Sequence, residues 1–71
     1  MKTVNEVRQQ LESKKAQGNT MIVTKWISRS SRHFLTVEKQ TVHNIDSILN
    51  DENRMKNFVD IFNMIEDYHI A

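Results

Sequence analysis

The sequence predicts an α+β domain in the order helix, β-hairpin, short helical turn and long C-terminal helix (α-β-β-α), with the helices packed on one face of a small antiparallel sheet. Three observations predict it. Apolar residues recur at helical spacing near both ends, at Val4, Val7 and Leu11 and again from Met55 to Tyr68. Between them, β-branched and aromatic residues alternate with polar ones. One Gly and no Pro leave no visible linker, so residues 1–71 read as a single small domain.

Thr3-Val4-Asn5-Glu6 has the form of a capping box, in which the Thr3 hydroxyl accepts an early helical N–H and Glu6 reaches back. Lys14 and Lys15 suit the negative end of the helix dipole, and Gly18 is the natural residue just past the last turn. The first helix is thus expected from about Val4 to Gln17.

Met21 to Ser28 and His33 to Val42 form the two strand-like runs. A symmetric turn at Arg29-Ser30-Ser31-Arg32 sets Trp26 opposite Leu35, Thr24 opposite Val37 and Ile22 opposite Lys39, and this face is taken as the core. The other face then carries Ile27 with Phe34, Lys25 with Thr36 and Arg29 with Arg32. Ser-Ser is not a strong hairpin turn, and a loop one residue longer or shorter would change these pairings.

Asn44 caps a short helical turn whose buried side is Ile45, Ile48 and Leu49, and Asp51 caps the final helix, expected to run to Ile70. On a helical wheel Met55, Phe58, Val59, Ile61, Phe62, Met64, Ile65 and Tyr68 spread over roughly 220°, wider than one core face requires. Two strands are too few for a stable free sheet, so edge pairing or helix packing between two copies, a homodimer, is expected.

The composition narrows the function. With no Cys there is neither a disulfide framework nor a thiolate metal site to staple so short a chain, which buries only about 60% of its unfolded surface. The N-terminal segment lacks the apolar stretch of a signal peptide and no run is long enough to span a bilayer, so a cytoplasmic location without membrane contact is expected. The net charge of +1 hides a polarity: Lys14, Lys15, Lys25, Arg29, Arg32 and Lys39 face only Glu38 in the middle of the chain, whereas Asp46, Asp51, Glu52, Asp60, Glu66 and Asp67 outnumber Arg54 and Lys56 after it.

Two candidate surfaces follow. Lys25, Ile27, Arg29, Arg32, His33 and Phe34 on the hairpin combine cations that neutralise phosphates with a ring that stacks on a base, although the same residues also describe an ordinary solvated turn. Ile61, Met64 and Tyr68 form the surplus face of the last helix, offered to a partner helix or a second subunit, unless the helix is simply sandwiched between sheet and helix. His33, His43 and His69 occur singly, without metal-ligand spacing. Ser30 and Ser31 near His33 lack the strained elbow or orienting acid that activates a hydroxyl, and no Gly-rich loop cradles a phosphate. No catalytic residue, cofactor or metal is therefore expected.

The sequence favours a non-enzymatic interaction protein, a small regulator, adaptor or inhibitor of the accessory type encoded by phages and plasmids, that docks on a protein partner through its last helix, its hairpin or both. The alternative is a dimeric nucleic-acid-binding regulator that presents the basic hairpin to phosphates.

Overall fold

The Thr3 hydroxyl accepts from the Glu6 N–H at 3.2 Å and starts α1 (Val4–Ala16). Only half of the capping box forms, because the Thr3 hydroxyl also donates to the Glu6 carboxylate rather than leaving it to reach the backbone. The helix ends in a Schellman motif. The Asn19 N–H donates to the Lys14 carbonyl and the Gly18 N–H to the Lys15 carbonyl, with Gly18 at φ +93°, a conformation costly for a residue with Cβ.

The computed structural model describes residues 1–30 and 35–71. After α1 come β1 (Met21–Ser30), β2 (Leu35–Asn44), α2 (Ile45–Leu49), α3 (Glu52–Met64) and β3 (His69–Ile70). The strands form an antiparallel sheet in the order β2-β1-β3, and the helices pack on one of its faces. The α+β class and the order of the first five elements are those expected; β3 was not foreseen.

The hairpin register differs from the symmetric turn. Ile22 pairs with His43, Thr24 with Thr41, Trp26 with Lys39 and Ile27 with Glu38, so β2 is displaced by four residues from the expected partners. Its cause lies at the open end of the hairpin. β2 runs straight into α2, whose Ile45 is fully buried and whose Ile45 N–H donates to the Thr20 carbonyl at 3.0 Å. Burying Ile45 and Ile48 pins the base, and the intrinsic preference of a Ser-Ser sequence for a tight turn is too weak to oppose it. Because four is even, every side chain keeps its face: Ile22 and Thr24 are buried and Trp26 half-buried, as expected. Leu35 and Val37 keep that face too, but lie far out along the hairpin, exposed.

The second difference is the end of α3. Asp51 caps it as expected, accepting from the Asn53 and Arg54 N–H groups, but the helix stops at Met64 instead of continuing to Ile70. Ile65 is extended, and Asp67 takes φ 61°, a left-handed conformation that Asp tolerates better than most residues. The chain thereby doubles back. Tyr68 packs on Phe62 with ring centroids 4.7 Å apart at 84°, and on Trp26 at 5.4 Å. β3 then pairs with β1, Ile70 opposite Thr24 and His69 opposite Lys25, and the Ala71 N–H donates to the Val23 carbonyl. Burying a Tyr ring and gaining ladder hydrogen bonds outweighs another helical turn into which Glu66 and Asp67 would bring negative charge at the unfavourable end of the dipole.

The core is correspondingly small. It comprises Val7 and Leu11 of α1, Ile22, Ile45 and Ile48, the α3 side chains Met55, Phe58, Val59 and Phe62, and Tyr68. A reciprocal pair of hydrogen bonds between the Lys2 backbone and the Asn63 amide, 2.8 and 3.1 Å, ties the segment before α1 to α3. Tyr68→Ala is expected to cost about 3 kcal/mol, whereas Met64→Ala, at a position 81% exposed, stays within about 0.5 kcal/mol of the parent. Urea unfolding followed by the fluorescence of Trp26 measures both, and equal effects would contradict the turned-back C-terminus.

Candidate interaction surface

The hairpin is longer than the layer that covers it. A ten-residue strand extends about 34 Å and a thirteen-residue helix about 20 Å. The shortened α3 therefore covers the base of the sheet and leaves the outer part of both strands as an arm. The molecule is accordingly elongated, 41 × 22 × 16 Å, with a Cα radius of gyration of 13.2 Å, against about 11 Å for a compact chain of this length.

On the inner face of this arm, the direct continuation of the core, stand Ser28, Val37 and Leu35, with Val37 46% and Leu35 58% exposed. Neither was expected at the surface. A final helix running to Ile70, about 30 Å long, would have covered them, and it is the end of α3 at Met64 that leaves them bare.

The outer face carries the expected hairpin residues Lys25, Ile27 and Arg29, on one face as predicted; Ile27 and Arg29 are exposed and Lys25 half-exposed. Arg32, His33 and Phe34 lie outside the described residues, and with them the pairings proposed for Ile27 with Phe34 and Arg29 with Arg32; the structure pairs Ile27 with Glu38 and Arg29 with Thr36 instead. Lys25 approaches Glu38 at 3.8 Å on the diagonal of the β ladder, and Arg29 approaches Asp67 at 3.6 Å. Exposed pairs of this kind stabilise little, but each sets a carboxylate beside a cation that a phosphate would have to claim.

The surplus face of α3 is divided. Ile61 and Met64 are exposed as expected, whereas Tyr68 leaves the helix and is buried against Trp26 and Phe62, so it is withdrawn from the helix surface predicted for it. Ile61 lines a shallow groove with Arg54, Asn57 and Phe58 of α3 on one side and Val42 and His43 of β2 on the other. This groove runs along the free edge of the sheet, because β2 is an outer strand.

At the floor of the groove His43 meets Phe58 edge-on, with ring centroids 5.1 Å apart, and its Nε2 lies 3.1 Å from the Thr24 hydroxyl. Thr24 is the buried polar side chain of the core, and its hydroxyl also lies 3.3 Å from the Thr41 carbonyl. One hydroxyl proton serves one acceptor. When Thr24 donates to Thr41, Nε2 must carry the imidazole proton and donate to Thr24. Among the described residues no three His, Asp or Glu side chains come together as metal ligands would, and no helix is long and apolar enough to cross a membrane.

Compared with known proteins, the chain matches no family model, and no curated sequence or solved structure is significantly similar to it.

Burial holds the His43 imidazole below its usual pKa of 6.5, because it disfavours the cation. The unfolded chain therefore binds this proton more readily than the folded one. Stability contributed by neutral His43 is complete above pH 6.5 and is lost as the pH falls through the lowered folded value. Urea titrations are expected to show stability falling as the pH drops from 6.5 towards the lowered folded value, with the slope over that window reduced in His43→Gln. An unchanged slope in the variant would assign the acid sensitivity elsewhere.

Proposed function

We propose that this chain is a non-enzymatic interaction protein, a small cytoplasmic regulator, adaptor or inhibitor, that docks on a protein partner through its hairpin arm. The observation that carries the reading is the pair Leu35 and Val37. They extend the buried face of the sheet beyond its helices and are half exposed, with no helix among the described residues over them. Apolar side chains held on a rigid ladder lose little conformational entropy on binding, and their desolvation favours association by about 25 cal/mol per Å² covered. Ile61 of α3 adds apolar surface beside the other end of β2. The alternative of a phosphate-binding hairpin gains less support, since Lys25 and Arg29 each face a carboxylate.

A photo-crosslinking residue in place of Val37, with one in place of Glu12 on α1 as control, tests the reading in cells of the source organism. The expected result is a discrete, nuclease-resistant protein adduct from position 37 alone. Equal labelling from both positions, or none, would remove the support for docking by the arm, and an adduct that nuclease destroys would transfer it to the nucleic-acid alternative.

A further inference from the structure

We infer that the surface covering the arm is a second copy of the same chain, joined edge to edge along β2 about a two-fold axis, which doubles the three-stranded sheet into a six-stranded one. This rests on the reading of the arm as a docking surface and names its partner.

The self-complementarity of β2 carries the inference. Its two ends differ: Leu35 and Val37 stand uncovered on the inner face near the tip, while the groove between Phe58, Ile61 and His43 opens on the same face near the base. A two-fold axis perpendicular to a sheet pairs identical edge strands antiparallel and keeps like faces together. It necessarily lays the tip half of one β2 against the base half of the other. Uncovered apolar side chains of each copy thus meet the open groove of its partner, and both deficits close at once.

Length and charge together select the register, since only an axis at Lys39 or at Gln40 pairs nine of the ten residues of β2. An axis at Glu38 or at Lys39 would set identical charges face to face, which is destabilising. With the axis at Gln40, two neutral amides oppose one another, Lys39 faces Thr41, Glu38 faces Val42, and Val37 faces His43 at the mouth of the groove. Thr36 through Asn44 of each chain then pair through the outward backbone groups of β2, an outer strand, and its side chains, exposed from end to end except for half-buried His43, do not obstruct the approach.

The surface is also larger than a compact chain needs. A compact monomer of 8.4 kDa exposes about 4,600 Å², whereas this chain exposes 5306 Å². The elongated shape thus leaves about 700 Å² more surface in water than a compact chain of this mass, and pairing along β2 covers part of it.

The chain has no cysteine, so a single introduced one reports its own neighbours. Sedimentation of the purified chain is expected to give twice the 8.4 kDa mass, and mild oxidation is expected to link Gln40→Cys into a covalent dimer while Glu12→Cys stays uncoupled. Val37→Lys, at an exposed site that leaves the far-ultraviolet circular dichroism unchanged, should weaken association by about tenfold or more. A single-chain mass at micromolar concentration overturns the inference, and so does oxidative coupling through Met64→Cys with none through Gln40→Cys, which would mean helix-to-helix packing. A single-chain mass together with a position-37 adduct to a different protein overturns self-pairing but leaves the docking reading standing; loss of both results removes both.

Discussion

The packing of Tyr68 across Phe62 is the contact on which the remaining architecture depends. To reach it the chain must abandon α3 after Met64, turn through the left-handed Asp67 and come back beside β1. That path makes β3 and occupies one side of β1, so the sheet retains β2 as a long free edge. It also shortens the helical layer, leaving the inner face of the hairpin bare beyond Trp26. Exposed Leu35 and Val37 thus follow from an aromatic contact at the opposite end of the sequence. The ring of Tyr68 meets Trp26, Phe58 and Phe62, so a single side chain ties the tail to α3 and to the sheet together.

What could be read in the sequence was whatever short-range physics decides. Thr3, Asn44 and Asp51 each cap the helix they precede, and Gly18 ends α1, because a cap needs only neighbours three or four residues away. The faces of β1 were legible for a related reason, since alternation fixes which side of a strand is apolar regardless of its partner. Register was not. It is set by Ile45 and Ile48 entering the core after β2, a tertiary effect that local turn preference at Ser30-Ser31 does not contain. The helix wheel treated Tyr68 as one more apolar point on a cylinder, although Glu66 and Asp67 carry the wrong charge sign for a helix C-terminus and were the available warning.

The candidate surface divides along the same line. Lys25, Ile27 and Arg29 share one face of β1, as period-two alternation requires, yet their charge balance depends on Glu38 and Asp67, which only folding brings near. Ile61 and Met64 are exposed because they lie outside the arc that meets the sheet. His43 illustrates the limit most clearly: as a lone histidine it gave no signal, and its interest comes from Thr24 and Phe58, brought to it by a neighbouring strand and by α3.

Anchoring the hairpin at its base has a consequence for how such a chain tolerates change. Since the ladder is aligned at its base by Ile45 and by the Thr20 carbonyl, one aliphatic side chain holds both the core and the strand register, and shortening it to Ala would loosen the two together.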